Sequence, residues 1–209
     1  MIYLFLAPGF EEVEALAPLD LLRRAGLSVI TVAIRTAELN GHIQACGRIG
    51  TTAANLWDDE PTVIGAHGIP VTADMTESDF TRLVLTADEF SPEAVILPGG
   101  MPGTANLDAS PAVEGALALA SAKDAYLCAI CAAPMILGKR GYLVGKRATC
   151  FPGFEEYLEG ATVGGKVIRD GHIITAAGMG VAQEFGLEII RALVSPEKAG
   201  EIRSAIQSL

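Results

Sequence analysis

Apolar runs of strand length alternate with helical patterns along this chain, and this alternation limits the possible folds more than any other feature. Strands that alternate with helices form βαβ units and a parallel sheet. A strand that is almost continuously apolar is covered by helices on both faces. The sequence therefore predicts an α/β protein with a mostly parallel sheet sandwiched between helices, with strands at Ile2–Ala7, Ser28–Ile34, Ala94–Leu97 and Ala125–Ile130.

The first helix can be placed from its apolar face and its end signals. The pattern predicts a helix from near Phe10 to Gly26, with arginines in the last turn. Pro18 lies inside it and has no N–H to bond the carbonyl of Glu14, so we expect a kink or strain there. Glu14 should then lie in an irregular first turn, close to the end of the first strand.

The rest of the chain contains two clear elements and two unclear stretches. Residues 166–175 predict a β-hairpin with a tight turn at Asp170-Gly171, and Val181–Val194 predicts a closing helix. Residues 36–62 and 76–90 show no clear period or exceed the length of a plain connection. We interpret 1–209 as a single domain with insertions near 36–62 and 76–90.

Composition excludes several classes of protein. The formal net charge is −10 and no basic cluster offsets it, so nucleic acid and anionic membrane surfaces are not expected as partners. Half of the residues are hydrophobic, yet no apolar run reaches the roughly 18 residues of a membrane span. No basic leader precedes the first strand. We expect a cytoplasmic protein.

Two of the four cysteines, Cys128 and Cys131, form a C-x-x-C motif. A redox dithiol of this kind should open a helix, whereas this motif begins inside an apolar strand, where alternate side chains lie on opposite faces. We therefore expect the two sulfurs to be on opposite faces of the sheet. A zinc site is weaker still, because no second pair of ligands exists, and we predict no metal.

The segment L-C-A-I-C-A-A-P-M-I-L places Cys131 where a buried strand meets a helix. Such a nucleophile elbow holds a reactive side chain on strained backbone at a helix N-terminus. There the helix dipole and free N–H groups would lower the thiol pKa well below its usual value of ~8.5. The alternative is a buried cysteine that only packs in the core.

Two further loops follow strands. Gly99 and Gly100 end the segment I-L-P-G-G, whose unobstructed N–H groups are better suited to an oxyanion than to a nucleotide, because no phosphate-loop or dinucleotide spacing is present. In P-G-F-E-E-V-E, the residues Glu11, Glu12 and Glu14 come directly after the first strand. Carboxylates in a first helical turn usually form a solvated face, and we keep that interpretation for Glu11 and Glu12.

Together these segments resemble the ThiJ/PfpI (DJ-one) superfamily, which has a class I glutamine amidotransferase-like fold. The matching motifs are G-F-E-E-V-E, L-L-R-R-A-G, A-V-I-L-P-G-G-M-P-G-T, A-I-C-A-A-P and C-F-P-G-F-E-E. They occur in family order and span most of the chain outside the two suspected insertions. The resemblance implies a flavodoxin-like, doubly wound sheet with a nucleophile elbow.

The resemblance also implies roles for individual residues. Cys131 would be the reactive, oxidation-sensitive nucleophile, and Glu14 the carboxyl that hydrogen-bonds its sulfur and stays protonated, because two anions in contact are costly. Gly100 and Ala132 would donate backbone N–H groups to an oxyanion, supported by Gly99. Arg24 would lie near the site or at a dimer contact, as arginines at that position do in relatives.

The chain departs from the family at several positions. Ala132 stands where protease-like members have a histidine after the cysteine, Phe151 where another branch has a histidine before proline, and G-M-G-V replaces the usual G-P-G-T at residues 178–181. The three histidines are His42 in a suspected insertion, His67 in an apparent edge strand and His172 after the hairpin turn. We interpret each as a surface or structural residue, which leaves no obvious Cys–His dyad.

These observations favour a cofactor-independent enzyme acting on small reactive carbonyl compounds. The resemblance implies glyoxalase III-like or deglycase activity, of the hydro-lyase or hydrolase type, through a hemithioacetal at Cys131. The alternative is a non-enzymatic redox sensor or protective chaperone that uses oxidation of the same cysteine. A cysteine peptidase is disfavoured by the missing histidine. Because relatives are commonly dimers, we also expect a homodimer.

Overall fold

The computed structural model describes residues 1–35, 61–86 and 91–208. Strands and helices alternate along these ranges, as the apolar runs predict. The strands are β1 (Ile2–Leu6), β2 (Val29–Ala33), β3 (Thr62–Ile64), β4 (Pro70–Thr72), β5 (Met75–Thr76), β6 (Ala94–Leu97), β7 (Tyr126–Ile130), β8 (Arg147–Ala148), β9 (Thr162–Val163), β10 (Val167–Asp170) and β11 (Ile173–Ala176). The helices are α1 (Glu12–Arg24), α2 (Glu77–Thr86), α3 (Gly103–Asp108), α4 (Pro111–Ala122), α5 (Pro134–Lys139), α6 (Ala182–Leu193) and α7 (Pro196–Ala205), with 3₁₀ turns at Glu155–Tyr157 and Met179–Val181.

Within the described ranges, seven strands form one sheet in the order β10-β11-β7-β6-β1-β2-β5. Every neighbouring pair is parallel except β10 and β11, which form an antiparallel hairpin at one edge. The chain winds one way from β1 to β2 and the other way from β6 to β7. The doubly wound, mostly parallel sheet is therefore confirmed. In such folds, ligands bind beyond the carboxyl ends of the strands where the winding reverses.

The two faces of the sheet belong to two cores, because side chains alternate along each strand. On β1, Ile2 and Leu4 pack on the side of α1 and α6, whereas Tyr3 and Phe5 pack on the opposite side against Phe80 of α2. All residues of β1 are buried, and each fully buried aliphatic side chain stabilises the fold by roughly 1.5–3 kcal/mol. This explains why the strand is apolar throughout.

Helix α1 begins two residues later than its pattern predicts. Phe10 is fully buried and lies in the turn before the helix, since its N–H donates to the carbonyl of Ala7 at 2.9 Å. The helix continues through Pro18 and ends at Arg24. Glu14 therefore lies in the first turn of the helix, directly beyond the carboxyl end of β1.

The predicted hairpin and closing helix are both present, with small shifts. Asp170 pairs with Ile173, so Gly171 and His172 form the turn, one residue later than expected. Helix α6 is shorter by a residue at each end than the expected range. The residues just before it form a 3₁₀ turn.

The predicted insertions lie partly outside the described residues. Residues 36–60 and 87–90 are not described. Thr62 opens β3, which pairs with β4 in a separate antiparallel hairpin, and Glu77–Thr86 forms α2. That these segments are insertions into a single domain stays a prediction. No helix among the described residues is both long and apolar enough to cross a bilayer.

Candidate active site at the carboxyl ends of the central strands

Three of the predicted site segments meet at one edge of the sheet. Glu14 follows β1, the pair Gly99-Gly100 follows β6, and Cys131 follows β7. These three strands are neighbours at the centre of the sheet, and parallel strands end at the same edge. The sheet therefore brings together residues that are more than a hundred positions apart in the chain.

Cys131 lies in the turn between β7 and α5 with its backbone in the left-handed region, at φ 65°. This conformation costs a non-glycine residue roughly 1–2 kcal/mol. It is held in place because the Cys131 N–H donates to the carbonyl of Ala176 and the Cys131 carbonyl accepts from the N–H of Phe151, both at 2.8 Å. The predicted elbow is therefore present, and the side chain is partly exposed.

Gly99 packs against both Cys131 and Glu14. Its N–H donates to Oε2 of Glu14 at 3.0 Å. A Cβ at this position would lie 2.6 Å from the Cβ of Cys131 and 2.6 Å from Oε2 of Glu14. Any side chain here would push the thiol and the carboxyl apart, so the glycine allows them to contact each other.

Two backbone N–H groups face the sulfur of Cys131. They belong to Gly100 and Ala132, and both favour a negative charge on the thiol. Gly100 has φ 87° and packs so tightly that a Cβ would lie 2.4 Å from the nitrogen of Glu11. The two residues predicted to form an oxyanion site thus lie beside the nucleophile, and their catalytic role stays a prediction.

The electrostatics of the pair differ from the sequence-based expectation. Burial and the adjacent Glu14 carboxylate together raise the pKa of the Cys131 thiol to about 12, because the N–H groups of Ala132 and Gly100 offset only part of their effect. The expected lowering of the thiol pKa is therefore wrong. The helix after the elbow has only six residues and begins at Pro134, so its dipole is weak compared with burial next to an acid.

Glu14 is shifted in the direction that keeps it protonated. Burial, with a smaller effect from the charge of Glu11, raises its pKa to about 7, although the Cys131 thiol and the N–H groups of Gly99 and Met179 favour the ionised form. Its Oε1 is buried and accepts no hydrogen bond of ordinary length from the described residues. A carboxyl with a pKa near 7 can both accept and return a proton at neutral pH.

Glu12 is not the solvated carboxylate that the sequence predicts. It is 3% exposed, and it accepts hydrogen bonds from the N–H of His67 at 2.8 Å and of Ile69 at 3.3 Å, which compensate for its burial. The His67 ring lies 3.0 Å from Glu12 and 3.6 Å from Glu11. In the described part of the chain, one group of side chains could hold a metal ion, formed by Glu11, Glu12 and His67. The Glu12 carboxylate in it already accepts hydrogen bonds from His67 and Ile69.

Neither described histidine forms a dyad with Cys131. His67 lies in the turn between β3 and β4 rather than in an edge strand, and its ring bonds Glu12. His172 lies in the β10–β11 turn, where its carbonyl accepts from Leu127 near the amino end of β7. His42 is outside the described residues. Both described histidines are surface or structural residues.

Arg24 does not support the site. It bonds Asp20 at 2.6 Å on the surface, at the end of α1 that lies about 15 Å along the helix from Glu14. The expectation that Arg24 lies near the site is wrong, because the helix carries it away from the strand ends. Its proposed dimer contact stays a prediction.

The C-x-x-C motif holds two free thiols. Cys128 is fully buried in β7, and both it and Cys131 pack on the α1 and α6 side of the sheet. The expectation of opposite faces is wrong because Cys131 lies beyond the strand, where the left-handed turn ends the alternation. The motif is not a disulfide in this structure.

The wall of the site includes residues that the sequence marked only as departures. Phe151 bonds Cys131 through its backbone, and the N–H of Met179 faces Glu14. Both segments follow the elbow at a distance along the chain, so their approach to the site depends on the tertiary fold. The replacement of family residues at these two positions was the signal that could have marked them.

Comparison with known proteins agrees with this geometry. Protein DJ-1 homolog A of Arabidopsis thaliana is 32% identical over 205 residues, covering 96% of this chain and 45% of that protein. This chain therefore spans less than half the length of that relative. The glutathione-independent glyoxalase DJR-1.2 of Caenorhabditis elegans is 27% identical over 198 residues, covering 92% of this chain and 87% of that protein.

Solved structures extend the likeness to the whole fold. Oxidized DJ-1 of Toxoplasma gondii superposes with a TM-score of 0.79 at 26% identity, covering 99% of this chain and 97% of that one. The model of the DJ-1/PfpI family matches residues 1–192. With the elbow, the paired glycines and the acid all at the ends of the central strands, the chain belongs to the DJ-1/PfpI family.

Proposed function

We propose that this chain is a cofactor-independent enzyme in which Cys131 adds to small reactive aldehydes such as methylglyoxal and glyoxal, in a glyoxalase III-like reaction, or releases them from glycated adducts as a deglycase. The observation that carries this proposal is the contact of a partly exposed thiol with a carboxyl whose pKa is about 7. A relative from Caenorhabditis elegans that is named a glyoxalase gives further support.

The high pKa of the thiol determines the first step. Free thiolate is scarce at neutral pH, so ionised Glu14 takes the thiol proton as the sulfur attacks the aldehyde carbon of methylglyoxal. The C–S bond forms and the carbonyl electron pair moves to oxygen, where the N–H groups of Gly100 and Ala132 stabilise it. That oxygen then takes the proton from Glu14, which gives a hemithioacetal.

The second step moves hydrogen between adjacent carbons. Glu14 removes the proton from the carbon bonded to sulfur, which gives an enediolate with its negative charge on the former ketone oxygen, and then returns that proton to the former ketone carbon. The hydroxyl proton on the first carbon passes to the oxygen of the second, leaving a lactate thioester. Water then breaks the C–S bond and restores the Cys131 thiol, so the net reaction adds one water to methylglyoxal and forms lactate.

Lactate formation from methylglyoxal tests the proposal. We expect turnover by the wild type, none by Cys131→Ala, and a loss of about 10² to 10⁴-fold in Glu14→Gln, because a general acid–base is removed. Cys150→Ala and Glu201→Gln are the matched controls, since Cys150 is another free thiol and Glu201 an exposed helical carboxylate. No turnover by wild type whose Cys131 is an intact thiol would refute the enzyme.

Redox sensing is the second candidate, and one observation favours it. The N–H groups that face Cys131, together with the Glu14 proton, could hold the oxygens of a sulfinate, which forms when two peroxide molecules oxidise the thiolate and leave two waters. The Toxoplasma gondii relative was solved in an oxidized form. Selective addition of two oxygens to Cys131 by dilute peroxide, without aldehyde turnover, would favour the sensor.

Other parts of the expected function stay proposals. A cysteine peptidase remains disfavoured, because no histidine of the described residues hydrogen-bonds Cys131. The small carbonyl substrate, the homodimer and the cytoplasmic location are predictions that direct measurements would decide.

A further inference from the structure

Exposed apolar residues belong to the segments that contact the polar pair. Met101 follows Gly100 and is 53% exposed, Phe151 is 47% exposed and Met179 is 53% exposed. Each belongs to a segment that bonds Cys131 or Glu14 or faces them with an N–H group. Single exposed apolar residues are common, but apolar surface beside a few convergent polar groups is typical of a ligand site.

The position of the Phe151 ring is the most closely defined. A Cβ on Gly178 would lie 3.3 Å from Cδ2 of Phe151 and 3.8 Å from Oε1 of Glu14. The Phe151 ring and the Glu14 carboxyl are therefore both neighbours of Gly178, which has no side chain to fill the space beside them. On the other side, the backbone of Phe151 is bonded to Cys131, so the ring is attached to the nucleophile's own turn.

These positions divide the site into a polar and an apolar part. In the proposed reaction, the carboxyl of Glu14 and the two N–H groups at Cys131 would contact the reacting carbons and oxygens, which would leave the ring for the substituent that those carbons carry. A hydroxylated, sugar-like substituent would lose hydrogen bonds to water against an aromatic face without replacing them, which is unfavourable. An apolar substituent would gain from the same contact.

We infer that Phe151 is a specificity-determining residue and that the site prefers 2-oxoaldehydes with an aromatic or other bulky apolar substituent over glyoxal. Phenylglyoxal represents this class. The inference rests on the proposed function, since it names the substrate class of the same site. A histidine, which another branch of the family has at this position, would offer a polar edge instead of an apolar ring.

The ratio of kcat/KM for phenylglyoxal to kcat/KM for glyoxal measures this preference. We expect a ratio above one in the wild type and a fall of about tenfold or more in Phe151→Ala and Phe151→His, because loss of apolar contact in a pocket changes discrimination by that order. Val144→Ala is the matched control, since Val144 is 63% exposed and lies outside the site segments. A wild-type ratio below one would overturn the inference. So would a ratio that is the same in the wild type and in both Phe151 variants.

Alkylation of Cys131 separates this inference from the proposed function. Phenacyl bromide carries an aromatic ketone and iodoacetamide a small polar amide. In both reactions the thiolate displaces halide and forms a C–S bond. We expect the phenacyl to acetamide rate ratio, followed by intact mass, to fall in Phe151→Ala and not in Val144→Ala. A fall in this ratio without any aldehyde turnover would refute the enzyme and keep the apolar subsite. An unchanged ratio would refute the subsite.

Discussion

The imidazole of His67 lies 3.0 Å from the Glu12 carboxylate and joins the β3–β4 hairpin to the first turn of α1. The hairpin is joined to the same region a second time, because the N–H of Gly9 donates to the carbonyl of Ile64 at 2.8 Å. The turn at Gly9 packs directly against Gly100. The hairpin therefore supports the loop that positions both the acid and one of the N–H donors.

The His67–Glu12 contact predicts a pH-dependent stability. The hydrogen bond to Glu12 raises the pKa of His67. The contribution of this contact to stability is therefore full below about pH 6.5 and is lost as pH rises through the pKa of His67 in the folded protein. The pKa of Glu12 is lowered despite burial, which opposes the shift, through bonds from His67 and Ile69, so its contribution is lost in acid. We expect the coupling free energy in a double-mutant cycle of His67→Ala and Glu12→Gln, measured by urea unfolding, to be larger at about pH 5.5 than at about pH 9. Equal coupling at both values would contradict the ion pair.

Glu14 should destabilise the fold progressively as pH rises from about 4.5 to about 7. Burial raises its pKa from 4.5 to about 7, so as pH rises between these values the unfolded chain loses a proton that the folded chain keeps, and stability falls. The full loss above about pH 7 is on the order of 3 kcal/mol. We expect Glu14→Gln to gain stability over the wild type between about pH 5 and pH 8 in chemical denaturation. A difference that does not change with pH would contradict the buried carboxyl.

Glu14→Gln should make Cys131 react faster with a simple alkylating agent. The carboxylate raises the pKa of the thiol in addition to burial, and each pKa unit changes the thiolate fraction about tenfold when pH is below the pKa. We expect iodoacetamide to label Cys131 at least several-fold faster in the variant than in the wild type at about pH 8. The same variant loses aldehyde turnover, so the two measurements separate thiol ionisation from proton transfer. Slower labelling would contradict the effect of the Glu14 charge on the thiol pKa.

Gly99→Ala should damage the site and the fold together. The new methyl would lie 2.6 Å from both Cys131 and Glu14 and 3.0 Å from the carbonyl of Ile130, and overpacking of this kind costs roughly 1–3 kcal/mol. We expect a lower free energy of unfolding and a large loss of turnover. Gly115→Ala is the control, because nothing lies within 4 Å of its new Cβ and alanine favours a helix. Full activity in Gly99→Ala would show that the two groups need not be in contact.

The sheet, the elbow and the meeting of three loops could be predicted from sequence because each depends on local patterns. Buried parallel strands are apolar throughout, and their carboxyl ends share one edge, so Cys131, Gly100 and Glu14 could be placed together from their positions after strands. The family resemblance added the identity of the acid among three carboxylates.

The burial of Glu12 could not be predicted in this way. It and Glu14 occupy the same helical turn, and both are buried for reasons that lie elsewhere in the chain. One is covered by a hairpin that begins at Thr62, and the other by the loop after β6. The expected lowering of the thiol pKa was wrong for the same reason, since the local signal of a helix start carries no information about a buried acid on another helix.

The assembly of the site from three strand ends has a consequence for the chain before it is folded. No single segment contains the nucleophile together with its acid, so an unfolded or newly made chain carries an ordinary cysteine, free of the neighbours that raise the pKa of Cys131. Folding thus raises the pKa of the thiol and at the same time brings the acid and the N–H donors next to its sulfur. The rate at which Cys131 is labelled would report how far the centre of the sheet has formed.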